Sequence, residues 1–374
     1  MSIILAIIVF GIIIAIHEFG HFFMAKLFKV GVMEYAIGMG PIIFGKRIGE
    51  TVYSLRAIPF GGYCAMYGEE SLEAGNKGEE QENNEEENKK KLFKRKIEYK
   101  TDWTEDRSYN SKTPLQRILI LFAGPFANLI LGFSLALLST GLWGNYAELN
   151  IKEVYQDSPA MEVGLEVGDV IVAINDRNVL TFNDYEEYKL THNNLIKDGY
   201  SLTVERNGET LTKFVKQDET TGLIGIRINT EIEKKNFSDS FKYALNDTKY
   251  WCLTVFDSIY MLVNGEASVK DMSGAVGITS MMGDTIETAS EHGTSVVVET
   301  IFTLIMFISI NLGIMNLLPF PALDGGRILF TTIEIIINRK IPAKIEAAVN
   351  GIGMACLMVL MVITLFNDIG KIIM

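Results

Sequence analysis

Two histidines and a glutamate interrupt an apolar stretch near the start of the chain. The stretch GIIIAIHEFGHFFMAK contains His17, Glu18 and His21 in the order H-E-x-x-H. Residues four apart on a helix lie on one face, so both imidazoles can reach one metal ion while the glutamate reaches a water bound to it. A charged group in a bilayer costs on the order of 3 kcal/mol, which favours a functional role over a pair of histidines satisfied within the helix.

Zinc is the metal that this set of side chains favours. Catalytic zinc takes a third protein ligand and leaves a fourth position for water, whose pKa it lowers to about 7. Glu18 can accept the proton of that water and return it to a leaving amine. The pattern predicts a hydrolytic site with one Zn2+ per chain.

A candidate third ligand lies far along the sequence, in NLGIMNLLPFPALDGGRILF. Pro319 and Pro321 interrupt the helix there, and the glycine pair that begins with Gly325 turns the backbone. Asp324 can then project inward from an irregular segment, which membranes tolerate beside a cavity. The alternative is that Asp324 is only a turn residue.

Four apolar segments are long enough to cross a membrane, which takes about 20 residues. With 48% hydrophobic residues overall, part of the chain is expected in lipid. The segments lie in regions 1–28, 113–142, 296–330 and 347–368. Region 1–28 could instead be a secretion signal, but nothing basic precedes it and no cleavage pattern follows it.

Basic residues predict the orientation in the membrane. Lys26 and Lys29 follow the first span, and Arg339 and Lys340 lie between the third and fourth. Lys and Arg favour cytoplasmic loops, so both termini are predicted to lie outside. The net charge of −12 comes largely from acidic segments and indicates no nucleic-acid partner.

The segment between the second and third spans has the size of a soluble domain. Ser158 is suited to cap a helix that starts at Pro159 and ends near Gly164, and 170–174 reads as a strand. The pair Asn207-Gly208 predicts a hairpin. The order of elements over 150–228 resembles a PDZ domain, with an unrelated small α/β domain as the alternative.

Two further regions are expected to be accessory. Acidic and basic runs over 69–112 predict a flexible cytoplasmic insertion that cannot bury enough surface to fold. In 236–292, apolar residues recur at spacings of three and four, which predicts an amphipathic helix followed by a loop.

Three motifs together resemble one protein family. H-E-F-G-H, AGPFANLILG and NLLPFPALDGG are similar to motifs of the site-2 proteases, in particular the bacterial RseP/RasP-like branch of these intramembrane zinc metalloproteases. The resemblance implies a polytopic α-helical membrane protein with four transmembrane helices, a membrane-associated β-sheet and one extracytoplasmic PDZ-like α/β domain. It also implies that His17, His21 and Asp324 bind zinc and that Glu18 is the general base.

The resemblance assigns roles to other residues. Asn311 and Asn316 are associated with substrate handling. The glycine-separated runs of 29–68 correspond to the β-sheet, where Gly61 and Gly62 are predicted to lie against substrate; a structural cytoplasmic hairpin is the alternative. Residues expected to shape the site are Gly124, Pro125, Asn128, Pro319, Pro321 and Gly325.

The function that follows is intramembrane cleavage of single-span membrane proteins in the bacterial cytoplasmic membrane, close to its cytoplasmic face. By resemblance, the substrates are anti-sigma factors already trimmed by another protease, and leftover signal peptides. A membrane scaffold with a structural metal and a metal transporter are the alternatives. The chain departs from the family at Ala275, where proline is usual, and in the length of its charged insertion.

Overall fold

A computed structural model describes residues 2–69, 102–146, 148–192, 196, 198–218, 221–229, 231–233, 236–268 and 272–373. Most of the predicted charged insertion, residues 70–101, lies outside the described residues. The chain divides into two compact units, the first formed by Met1–Gly132 with Val269–Met374 and the second by Phe133–Ser268.

The elements follow one another along the chain in this order. They are α1 (Ser2–Leu27), β1 (Val32–Ile48), β2 (Thr51–Met66), α2 (Pro114–Trp143), β3 (Asn145–Tyr146), β4 (Ile151–Val154), α3 (Pro159–Glu162), β5 (Val170–Ile174), β6 (Arg177–Asn178), α4 (Phe182–Thr191), β7 (Tyr200–Arg206), β8 (Glu209–Val215), β9 (Ile226–Ile228), β10 (Ile232–Glu233), α5 (Phe237–Val263), α6 (Ala275–Glu291), α7 (Thr294–Leu317), α8 (Asp324–Ile337) and α9 (Ala343–Ile373).

Among the described residues, four helices are long and apolar enough to cross a membrane. They cover Ile4–Leu27, Pro114–Trp143, Thr294–Leu317 and Lys344–Lys371. The four predicted spans are therefore present as helices. The first of these helices has apolar residues on its exposed side, such as Ile8 and Phe23, as well as on its buried side. This is expected of a helix that faces both lipid and protein.

The core of the first unit forms where α1 meets α6 and α7. Ala6, Val9 and Ile13 of α1 are buried against Met282 of α6 and Ile308 of α7. The sequence predicted a loop where α6 lies. This helix depends on a distant partner, since the carboxylate of Asp368 in α9 accepts hydrogen bonds from the backbone N–H groups of Gly274 (3.1 Å) and Gly277 (2.7 Å).

Strands β1 and β2 form a long antiparallel hairpin beside α1. The Tyr35 hydroxyl donates to the carbonyl of Ala15 on α1 over 2.6 Å. Within the hairpin, the buried carboxylate of Glu34 accepts from Ser54 (2.5 Å) and Arg56 (2.8 Å). The first bond holds the hairpin to α1, and the bonds of Glu34 join its two strands.

A break separates α7 from α8. The predicted region 296–330 contains the end of one helix and the start of the next, because α7 ends at Leu317 and α8 begins at Asp324. Pro319 and Pro321 lie in the break, where they cannot donate the backbone hydrogen bonds of a helix. A β-carbon on Gly325 would overlap the carbonyls at the end of α7, so only glycine fits this tight turn.

The chain is tied together on both sides of the undescribed residues 70–101. The N–H of Tyr109 donates to the carbonyl of Tyr67 over 2.7 Å, and the amide of Asn110 donates to the carbonyl of Gly68 over 2.6 Å. The chain thus returns close to the point from which it departs.

The second unit is an α/β fold with a four-stranded sheet in the order β6-β5-β7-β8. The local predictions are confirmed here: Ser158 accepts from the N–H of Met161 at the start of α3, strand β5 covers 170–174, and the Asn207-Gly208 turn joins β7 to β8. Its core contains fully buried side chains that include Ile171, Leu202 and Val204. Helix α5 begins at Phe237, as the apolar spacing predicted.

Candidate metal centre

The three predicted ligand residues lie together in the first unit. The Nε2 atoms of His17 and His21 are 3.2 Å apart, and the Oδ2 atom of Asp324 is 3.1 Å from the first and 3.4 Å from the second. Both histidines are buried, with 7% and 6% of their surface exposed. The structure thus brings residues more than 300 positions apart in the sequence to one point.

The donor set and its spacing fit zinc. Ligands held at about 2.0–2.1 Å in a tetrahedron are about 3.3 Å from one another. The three separations between His17, His21 and Asp324, from 3.1 to 3.4 Å, match that value. Two imidazole nitrogens and one carboxylate oxygen also leave a fourth position open, which structural zinc sites do not.

The orientation of His21 is determined by a backbone group. Its Nδ1 atom lies 2.8 Å from the carbonyl oxygen of Ile120 on α2. Because a carbonyl can only accept, His21 must donate from Nδ1, which leaves the Nε2 lone pair free to bind a metal. A backbone carbonyl leaves no signal in the sequence, so this partner could not have been predicted.

Helices α1 and α2 approach each other closely at the metal centre. A β-carbon on Gly20 would lie 2.7 Å from the carbonyl carbon of Ala123, and one on Gly124 would overlap Nε2 of His21 and lie 2.5 Å from its Cε1. Both positions therefore require glycine, which explains why each helix carries one at the contact. The neighbouring Pro125 lies inside α2, where α7 packs on it through Gly313.

Glu18 lies between the metal centre and the hairpin. It interacts electrostatically with His17, His21 and Asp324. On its other side, a β-carbon on Gly62 of β2 would be 3.2 Å from Cγ of Glu18. The strand and the predicted general base are thus immediate neighbours.

The other predicted site residues are distributed along the same elements. Gly61 adopts a φ of 85° beside Met39 of β1. Asn311 donates to the carbonyl of Phe307 within its own helix over 3.0 Å, and Asn316 lies in the last turn of α7. Of the four predicted substrate-binding residues, Gly62 is therefore the one that the structure places directly beside Glu18.

One contact in the centre was not predicted. Asn128, which the sequence suggested only as a structural residue, is fully buried on α2 with its amide nitrogen 3.4 Å from Nδ1 of His17. A polar residue in an apolar helix was the signal that could have indicated it, since such residues usually have a function.

The described residues contain four helices long and apolar enough to cross a membrane, and one of them carries two of the three side chains of a cluster that could hold a metal ion. This combination is typical of a membrane metalloenzyme. The chain belongs to peptidase family M50, whose sequence profile matches residues 5–360. The protein is therefore a bacterial membrane zinc metalloprotease of the site-2 protease family, and the scaffold and transporter alternatives are set aside.

Individual relatives match over nearly the whole chain. A protein of Clostridium perfringens, named as a candidate zinc metalloprotease, is 35% identical over 99% of this chain and 98% of its own length. The zinc metalloprotease RasP of Shouchella clausii is 30% identical over 99% of both chains. A protein of Enterococcus faecalis called eep, named as a candidate protease, is 34% identical over 99% of both.

Proposed function

We propose that the protein is an endopeptidase that cuts the transmembrane segments of single-span membrane proteins near the cytoplasmic face. The observation that carries the proposal is the position of the metal centre. Two of its three donor atoms belong to a helix long and apolar enough to span a membrane. A hydrolytic centre on such a helix acts most directly on peptide bonds that are themselves in the membrane.

Each residue of the centre has a role in the proposed reaction. His17, His21 and Asp324 hold the metal. Zinc bound there supplies Lewis acidity, which lowers the pKa of water and polarises a carbonyl. Glu18 accepts the proton of the attacking water and donates it to the amide nitrogen that leaves.

The hairpin supplies a surface for an unwound substrate. A helix engages its peptide bonds in its own hydrogen bonds, so a transmembrane substrate must unwind before it can be cut. An extended segment can then pair with the free edge of a strand, with backbone hydrogen bonds giving the affinity. The position of Gly62 beside Glu18 supports binding along β2, and we assign Gly61, Asn311 and Asn316 to the same substrate path.

The orientation of the protein follows from its charges. Lys26, Lys29 and Arg107 lie at the end of α1 and in the segment before α2, and basic residues favour the cytoplasmic side. The protein is then a multi-pass protein of the bacterial cytoplasmic membrane with its metal centre near the inner face. By the same rule, residues 150–228, which we propose to be a PDZ-like domain, lie outside the cytoplasm.

Cleavage in cells tests the catalytic assignment. Single-span reporter proteins are expressed with the wild type or with Glu18→Gln, and the membranes are examined for a shortened fragment. The substitution preserves the size of the side chain but removes its basicity, so zinc content should remain and cleavage should stop. A Glu18→Gln protein that binds zinc and cleaves at the wild-type rate would exclude the general-base role.

The same reporters test how substrates are selected. Variants with helix-weakening glycines in the transmembrane segment should be cut faster, because they unwind more readily. We further propose that the PDZ-like domain excludes substrates with large outer domains, a selection by repulsion. Deleting 150–228 should then permit cleavage of untrimmed substrates. Loss of cleavage of trimmed substrates instead would indicate that the domain recruits them.

A further inference from the structure

The two histidines of the metal centre have unlike partners. His21 donates from Nδ1 to a carbonyl oxygen, which can only accept. His17 faces an amide, which offers both a donor and an acceptor. The structure places the amide nitrogen of Asn128 toward Nδ1 of His17, at 3.4 Å. In that orientation the amide would donate, and His17 would carry its proton on Nε2, the atom that faces Asp324.

The oxygen of the same amide is not hydrogen-bonded among the described residues. Within the described residues, the Oδ1 atom of Asn128 is buried and has no hydrogen-bond partner. The oxygen and nitrogen of an amide have nearly the same shape, and a half-turn about the terminal bond exchanges them. The exchange would bring the oxygen to His17, where it can accept a hydrogen bond from Nδ1.

We propose that Asn128 is a positioning residue that keeps His17 ready to bind the metal. Its Oδ1 accepts a hydrogen bond from Nδ1 of His17, which places the single ring proton there and leaves Nε2 as the metal ligand. The inference rests on the proposed function, because it takes His17 to be a ligand. It gives the asparagine of α2 the role that the Ile120 carbonyl has for His21.

The surroundings of Asn128 hold it in place for this role. Its carbonyl accepts a hydrogen bond of 2.8 Å from the hydroxyl of Ser309 on α7. That bond ties the backbone, whereas the described hydrogen bond of the side chain goes to His17. Because the backbone of Asn128 bonds to Ser309 and its side chain to His17, Ser309→Ala provides a matched control that removes only the backbone bond.

Zinc affinity measures the role without relying on activity. The purified full-length protein is titrated with a zinc chelator, and the wild type is compared with Asn128→Leu, Asn128→Asp and Ser309→Ala. Leucine cannot accept, and loss of such a partner weakens metal binding by about 10- to 100-fold. Aspartate accepts from Nδ1 and should restore affinity to within about threefold of the wild type. Ser309→Ala should stay close to the wild type, although it loses a buried bond.

Two results would overturn the proposal: unchanged affinity in Asn128→Leu, or equal weakening in Asn128→Leu and Asn128→Asp. His17→Ala in the same titration separates this inference from the proposed function. If His17→Ala retains wild-type affinity, the ligand assignment itself fails. If His17→Ala loses zinc while Asn128→Leu keeps it, only the role of Asn128 fails.

A measurement on the protein that keeps Asn128 covers the case in which Asn128→Leu does not fold. The chain has four histidines, so nitrogen-15 labelling of histidine gives a small set of ring signals, simplified further by His192→Gln and His292→Gln. The zinc-bound protein should show a proton on Nδ1 of both His17 and His21. A proton on Nε2 of His17, or none on Nδ1, would contradict the proposal.

Discussion

Gly124 lies directly against the imidazole of His21, so close that a β-carbon at this position would overlap Nε2. Because of this contact, the packing of α1 on α2 and the geometry of the metal centre depend on each other. Any side chain on this glycine must move the metal-binding nitrogen, the helix or both.

Gly124→Ala should therefore weaken zinc binding by at least about tenfold, a loss of the size seen when the support of a ligand is removed. Gly141→Ala on the same helix is the matched control, since a β-carbon there meets nothing within 4 Å. The control should bind zinc normally. Chelator titration of both proteins gives the comparison, and equal affinities would show that the centre can shift to accommodate the methyl group.

Asp324→Ala should lower the zinc content of the purified protein well below one ion per chain, because two histidines alone leave the site one ligand short. Asp284→Ala, at an exposed position on α6, serves as the control for the loss of an aspartate. Elemental analysis after dialysis provides the measurement. Full zinc content in Asp324→Ala would return this aspartate to the role of a turn residue.

Glu50 should contribute pH-dependent stability. Burial raises the pKa of its carboxyl, but hydrogen bonds from Arg107 and Lys26 outweigh that effect and lower the pKa to about 2. A depressed pKa stabilises the fold above the unfolded-state value of about 4.5, and the contribution is lost as the pH falls from there toward 2. Solvent screening at this partly exposed site limits the effect to about 1 kcal/mol.

Glu50→Gln should accordingly unfold at a lower temperature than the wild type at pH 6, and the difference should shrink as the pH falls below 4. Glu287→Gln, at an exposed position, controls for the change in net charge. Thermal unfolding in detergent across this pH range is the measurement. A difference that is constant with pH would show that the ion pairs of Glu50 do not stabilise the fold.

Asp368→Ala should destabilise the first unit by about 1–3 kcal/mol, because it leaves the N–H groups of Gly274 and Gly277 without their acceptor. Asp368→Asn keeps one acceptor oxygen and should fall between the wild type and alanine. Zinc content should be the same in all three. Unfolding temperatures in that order would support the bond, whereas identical temperatures would show that α6 forms without it.

The ligands of the metal centre could be predicted because their signals are local. The spacing of His17 and His21 defines one helix face, and the prolines before Asp324 indicate a break in the helix. Helix α6 was missed because its support is distant: Asp368 follows Gly277 by 91 residues and gives no sign of the contact. The interruption within region 296–330 was predicted from its prolines, but the sequence did not indicate that a separate helix begins at Asp324.

The hydrogen bonds between the described segments on either side of residues 70–101 have a practical consequence. Tyr67 and Tyr109 are joined by a backbone hydrogen bond, so the intervening chain closes a loop whose two ends are already fixed. Closing a longer loop costs only about 0.6 kcal/mol for each doubling of its length. A fluorescent protein or an affinity tag inserted between 70 and 101 should therefore fold beside an intact metal centre, which would allow the enzyme to be followed in living cells and purified without altering either terminus.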